Sequence, residues 1–283
     1  MTTMVRAWLL LLFCVTLSLW VASASAVDPP LSTGELSIDL VYPSSRSPEG
    51  DRYLLLYDPA SGPPPDPYRY WRIPDNVLLL PRDGVITVAI APGEYWFSIA
   101  HKKPGTSLGP PSAEEFFYLH ADDGGKAAIV TIEKGKRLSL GRRSAVVWTP
   151  ARVEREKGVT AIEGVVVDPA GKPLPGLFVF AATHDLPTGK PLYISDTTDG
   201  KGGFLLRVAE GGVYFLRARG VVGGGTPAEG EYLSTIGEFA PLRVALKRGE
   251  RLKGIRLVAR PLSRTPENRS LPTAPLSGGG KGP

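Results

Sequence analysis

Apolar and polar positions alternate most clearly between Thr160 and Arg219. Phe204, Leu206 and Val208 alternate with Leu205 and Arg207. After Gly211 and Gly212, Tyr214, Leu216 and Ala218 alternate with Phe215, Arg217 and Arg219. A period of two places one set toward a core and the other away from it, so both runs predict strands. Val165 to Val167 is β-branched and Leu177 to Phe180 is apolar throughout, which predicts two more. Between them, Asp168-Pro169-Ala170-Gly171 has turn chemistry: proline presets φ at about −65° and glycine accepts positive φ. Pro173, Pro175 and Gly176 then keep the chain from pairing, and Asp199-Gly200 signals a hairpin. Short strands punctuated in this way predict a small antiparallel β-sandwich.

The order of these elements resembles the carboxypeptidase regulatory-like family, whose domains are transthyretin-like (prealbumin-like) sandwiches. Asp168, Gly171, Pro173, Leu174 and Gly176 fit its first turn motif. Asp199, Gly202 and Phe204 fit the second, with Gly200 and Gly203 blurring the register. Gly212, Tyr214, Leu216 and Ala218 fit the third. The resemblance covers Thr160 to Pro261 and implies the fold. It implies no activity.

The first half of the chain repeats these landmarks. Pro92-Gly93-Glu94-Tyr95-Trp96-Phe97 parallels Gly211-Gly212-Val213-Tyr214-Phe215-Leu216, and an offset of 119 carries Gly93, Tyr95 and Gly105 onto Gly212, Tyr214 and Gly224. Ile86, Val88 and Ile90 then answer to Phe204, Leu206 and Val208. Lys134 to Leu138 answers to Arg248 to Leu252. Matched landmarks in matched order argue for an internal repeat. The prediction is an all-β protein of two tandem Ig-like/transthyretin-like antiparallel β-sandwiches, about seven strands each. A divergent domain covers residues 27–150, a charged linker 151–159, and the regulatory-like domain 160–261.

The two ends read differently. In residues 1–26, Arg6 precedes the apolar run Trp8 to Val21 and the small-residue site Ala24-Ser25-Ala26, the layout of a cleaved signal peptide. The run is short for a membrane span of about 20 residues, so no span is expected in the mature chain. Cys14, the only cysteine, leaves with this leader, which removes disulfides and thiol chemistry from the mature protein. Residues 262–283 hold almost no large apolar side chains and are expected to be a disordered tail.

Charge and composition narrow the function classes. The chain is 42% hydrophobic and 22% charged, with a formal charge of +5, one unit of which belongs to Arg6. That excess is small and spread out, so nucleic acid is not the expected partner. The three histidines, His101, His120 and His184, form none of the close pairs that metal sites favour. His101 and His120 flank one long loop and are expected to be solvated there. No serine sits in a nucleophile elbow. Asp122-Asp123 and Asp196/Asp199 lie in glycine-rich turns and lack the spacing of a calcium loop.

What remains is surface. The stretch Asp58 to Pro74 sets Tyr68, Tyr70 and Trp71 among prolines, and aromatics on a stiff loop can hold a sugar or a protein partner. Tyr70 and Trp71 can also simply close one end of the first domain's core, the favoured reading for Trp71. The excursions after the Tyr95 and Tyr214 strands carry His101 and Lys102 in one half and Arg217, Arg219, Glu231 and Tyr232 in the other. The expected function is a non-catalytic binding or assembly module, secreted, periplasmic or at the cell surface, with a protein or carbohydrate partner and no cofactor. The alternatives are a metal-dependent hydrolase or oxygenase using His101 and His120, and a structural spacer.

Overall fold

The computed structural model describes residues 33–43, 49–82, 84–106, 108–150, 158–185, 190–223, 225–235 and 240–263. The leader, most of the expected linker and nearly all of the expected tail lie outside the described residues. The first nine strands are β1 (Gly34–Val41), β2 (Asp51–Tyr57), β3 (Asn76–Leu80), β4 (Ile86–Ile90), β5 (Gly93–Lys102), β6 (Phe116–Leu119), β7 (Val130–Ile132), β8 (Arg137–Ser144) and β9 (Val146–Val147). The next nine are β10 (Thr160–Val167), β11 (Phe178–Ala182), β12 (Tyr193–Ile194), β13 (Gly203–Val208), β14 (Gly212–Arg219), β15 (Tyr232–Leu233), β16 (Leu242–Leu246), β17 (Arg251–Val258) and β18 (Arg260–Pro261). Among the described residues the only helical element is a single 3-10 turn, Pro59–Ser61, and no helix is long and apolar enough to cross a membrane.

The two halves have one topology. The first stacks a three-stranded sheet, β4-β1-β8, on a six-stranded sheet, β3-β2-β5-β6-β9 with β7 paired to β5. Adding nine to every strand number gives the second: β13-β10-β17, and β12-β11-β14-β15-β18 with β16 on β14. Register repeats as well. Gly93 and Tyr95 stand opposite Ile132 and Val130, as Gly212 and Tyr214 stand opposite Leu246 and Val244. Each tyrosine hydroxyl donates to the carbonyl four residues back, Tyr95 to Ala91 at 3.2 Å and Tyr214 to Glu210 at 2.9 Å. Their burial differs: Tyr214 belongs to its core, whereas Tyr95 is half-buried at the margin of its own.

Two details depart from the sequence reading. Each half has nine strands and not seven, because short pieces such as β12, β15 and β18 continue the sheet edges. Each three-stranded sheet also contains a parallel pair, β1 with β8 and β10 with β17. The cause is the crossing from β7 to β8, and from β16 to β17. The chain leaves the six-stranded sheet and returns in the other layer beside the first strand, running the same way. Both parallel pairs shift register midway, and Gly141 and Gly254 supply the left-handed backbone there, with φ of 64° and 78°.

Each sandwich has its own core. Leu36, Ile38, Leu54, Phe97 and Ile99 lie in the first, and Ile162, Val179, Leu206, Tyr214 and Leu216 in the second. A third cluster joins them. Leu55, Tyr57, Trp71, Ala100, Phe117 and Trp148 of the first half pack with Phe178, Phe180 and Ile194 of the second. The outward faces of the two six-stranded sheets therefore meet. This explains why β11, Phe-Val-Phe-Ala-Ala, is buried along its whole length: Val179 and Ala181 face their own core, Phe178 and Phe180 the neighbouring sandwich.

Candidate functional site

The loop between β2 and β3 fastens the halves together. Asp58 caps the 3-10 turn by accepting from the Ala60 amide at 2.8 Å. Arg72, fully buried, holds the loop from inside: Nη1 donates to the Pro63 carbonyl at 2.5 Å, and Nη2 to the Asp58 carbonyl at 2.8 Å and the Asp75 carboxylate at 2.7 Å. Its guanidinium also lies over the rings of Tyr57 and Trp96. So held, the loop pairs with the edge of the second sandwich: the Ile73 amide donates to the Leu192 carbonyl and the Ile194 amide to the Trp71 carbonyl. Lys190 reaches back to Asp75 at 2.7 Å.

The loop aromatics are built into this joint. Tyr70 enters the second core, edge-on to Tyr193 at 5.6 Å, and donates to the Pro64 carbonyl; burial raises its phenol to about 12. Tyr70 is thus neither exposed for a partner nor closing the end of the first core; it is buried in the second. Trp71 packs against Phe117, centroids 5.7 Å apart, in the cluster between the halves and not at the end of the first core. Tyr68 stacks on Trp148 at 5.3 Å and offers its carbonyl to Arg207 at 3.2 Å.

His101 and His120 are not solvated loop residues. His101 is buried at the end of β5, with Nδ1 3.1 Å from the Tyr42 hydroxyl. Burial, then the neighbouring Arg52 cation, holds its pKa below the ordinary histidine value. His120 stacks on Phe97 at 5.0 Å, and burial followed by the Arg143 cation lowers it too. The two rings are therefore fixed in different surroundings. Among the described residues no three His, Cys, Asp or Glu side chains gather as a metal site.

Lys102, Arg219 and Glu231 turn out to be parts of one repeated clamp. Lys102 meets Glu115 at 2.6 Å in full burial, and Glu115 also accepts from the amides of Lys103 and Ser112 and from the Thr106 hydroxyl. Burial pulls the Lys102 ammonium below its ordinary value while Glu115 pulls it back up. In the second half Glu231 meets Arg219 at 2.5 Å and accepts from the Ala228 amide at 3.0 Å. Main-chain bonds match as well. The Trp148 amide donates to the Glu115 carbonyl, and the Leu262 amide to the Glu231 carbonyl. Each clamp closes the excursion that follows the long central strand. Tyr232 packs at the edge of the second core, and Arg217 is half-buried on β14 with Nη2 3.5 Å from the Asp185 carbonyl.

A cleft of about 250 Å³ lies where the first clamp meets the joint. The interdomain loop gives it Pro67 and Trp71, the clamped excursion Pro110, Pro111, Ser112 and Ala113, and the segment after β9 Trp148 and Pro150. From the second sandwich come Phe178, Arg207, and the exposed pair Asp196 and Thr197. Of the candidate binding residues named from the sequence, only Trp71 lines it, joined by Asp196 of the Asp196/Asp199 turn; Lys102 shapes it through Glu115. Arg217, Arg219, Glu231 and Tyr232 sit at another corner of the second sandwich. Trp148, Phe178 and Arg207 had no sequence signal beyond ordinary strand positions, because residues far apart in the chain become neighbours only through the joint.

No known family model matches the chain, and no curated protein matches it. Solved structures give loose likenesses. The TIE protein of Bacillus anthracis is 16% identical over 82% of this chain and 34% of its own, with a TM-score of 0.25. A streptococcal ancillary pilin is 15% identical over 83% of this chain and 64% of its own, TM-score 0.23. A minor pilin of Streptococcus agalactiae is 14% identical over 82% of this chain and 99% of its own, TM-score 0.22. The chain spans about a third of the first of these proteins and less than two thirds of the second. At such scores the fold rests on this chain's own topology.

Proposed function

We propose that the protein is a non-catalytic extracytoplasmic binding or assembly module whose ligand site is the cleft between its sandwiches. The observation that carries this is the cleft's construction: proline and aromatic walls from both halves, with Asp196, Thr197 and Ser112 exposed at its rim. Concave, mostly preformed sites with a few placed polar groups suit binding. His101, His120 and the Lys102–Glu115 pair are engaged in structural contacts, which supports binding over turnover. Trp71 and Trp148 are each only 4% exposed, so neither offers an open face for sugar stacking. Proline rings flanked by polar atoms favour an extended peptide of a protein partner, with carbohydrate second. The resemblance of residues 160–261 to regulatory-like domains fits this reading; the Asp168 turn of that motif is formed, its carboxylate accepting from the Lys172 amide at 2.8 Å.

The test is a screen of the secreted protein on peptide and glycan arrays, repeated with Ala113→Trp and Asp196→Ala. Both positions are exposed, so the melting temperature should hold while Ala113→Trp fills the cleft and abolishes the hits. Hits unmoved by either change would place the ligand elsewhere. Turnover lost in His101→Ala but kept in Ala113→Trp would favour the hydrolase or oxygenase reading.

A further inference from the structure

The outward faces of the two three-stranded sheets are equivalent in register but differ in charge balance. In the first half, β8 sends out Arg137 and Arg142, and β1 answers each with a carboxylate: Glu35 for Arg137, Asp39 for Arg142 at 3.2 Å. In the second half the matching arginines are Arg251 and Arg256 on β17. Glu163 of β10 pairs with Arg251 at 2.7 Å. Val165 stands opposite Arg256, where Asp39 stands opposite Arg142. Lys253 follows Arg251 as Ser139 follows Arg137.

At these matched positions the second face therefore has one acid fewer, Val165 for Asp39, and one cation more, Lys253 for Ser139. Among the described residues Lys253 and Arg256, both exposed, have no hydrogen bond or ion pair. Lys247 and Arg248 add charge at the turn leading into β17, and Glu250 is the only acid between Leu242 and Pro261. Edge strands do use Lys and Arg to block sheet-to-sheet association. The edge strand β8 does that with arginines that are ion-paired, so unpaired cations are not needed for it. Like charges left together on a surface repel each other and hold counterions, which a polyanion displaces on binding.

We propose that this face, centred on Arg251, Lys253 and Arg256, docks a linear anionic polysaccharide. Alternate side chains along one face of a strand recur about every 6.8 Å, which suits a chain with regularly spaced carboxylates or sulfates. A lipid surface would also want large apolar side chains to insert, and among the described residues the exposed large hydrophobic facing this strip is Val165, at 37%. This site is separate from the cleft, and each can fail without the other.

The experiment measures binding of the full chain to immobilised polygalacturonate and to dextran sulfate, as carboxylate and sulfate probes, across salt concentrations. With about four cations engaged, raising salt from about 50 to about 200 mM should weaken binding about a hundredfold. Lys253→Glu with Arg256→Glu should weaken it at least tenfold and reduce the log–log salt slope by about 2. Val165→Asp, which recreates the ion pair of the first half, should weaken it about threefold. Arg142→Glu on the other face should leave it unchanged. Should the double reversal fail to fold, Val165→Asp decides alone. The proposal is overturned by absence of binding to both probes, by binding that Val165→Asp leaves intact, by an equal loss in Arg142→Glu, or by a preference for anionic vesicles over both polymers.

Discussion

At the scale of single residues, the equivalence of the halves makes Glu231 informative. Burial pushes its carboxyl up, but the Arg219 hydrogen bond and the Ala228 amide outweigh burial and leave it below its ordinary value of 4.5. A carboxylate depressed in the folded state contributes stability that is present above the unfolded pKa and lost as pH falls through the folded one. The second sandwich should therefore lose melting temperature as pH drops below about 4.5. Glu231→Gln should melt lower at neutral pH and show a flatter acid limb. An acid limb identical to that of the unaltered protein would mean that the clamp is not coupled to folding.

The loop between β2 and β3 is the element on which the arrangement of the halves depends. Removing a buried guanidinium that holds three carbonyls and a carboxylate takes the side-chain donor from the Gly62 and Pro63 carbonyls and one of the partners from the Asp58 carbonyl and from Asp75, which keep the Ser61 amide and Lys190 respectively. Breaking a buried pair by removing one partner typically costs about 3–5 kcal/mol. Arg72→Ala should destabilise the protein by that order in denaturant titrations. It should also speed amide exchange at Ile73 and Ile194, whose bonds tie loop to sheet. Unchanged exchange there would show that the loop is held by Tyr70 and Trp71 alone. The sequence marked this stretch as unusual through its prolines and aromatics. It could not show the direction, because the second-sandwich residues that receive Tyr70 and Trp71, such as Tyr193, Phe178 and Ile194, lie more than a hundred positions later in the chain.

For the whole molecule, the third cluster changes the expected thermodynamics. Two sandwiches with separate cores would unfold separately. Here the outward faces of both six-stranded sheets, with Tyr70, are buried across the joint, so unfolding one half exposes apolar surface of the other. Calorimetry should show one dominant transition. Tyr214→Ala, expected to cost about 3–5 kcal/mol as a large aromatic truncation, should lower the exchange protection of β2 and β5 along with that of its own sheet. Two resolved transitions, with only the second moved, would mean that the joint contributes little.

The amino-acid sequence by itself determined the longer strands, their turns and the repeat, but not the short edge pieces such as β12, β15 and β18. Alternation in Phe204 to Val208 and Tyr214 to Ala218 is a local property, and so is the turn chemistry of Asp168 to Gly171. The landmarks at an offset of 119 needed only counting. The parallel pairs were not legible, since strand direction within a sheet depends on which layer the chain returns to. Nor was the joint. An unbroken apolar run such as Phe178 to Ala182 shows that both faces of a strand are buried, but not what buries the outer one. The cleft has the same origin: Trp71, Trp148, Phe178 and Arg207 share no local pattern. Only the packing of one sandwich against the other makes them neighbours, because hydrophobic burial is non-directional and takes its partner from the whole fold.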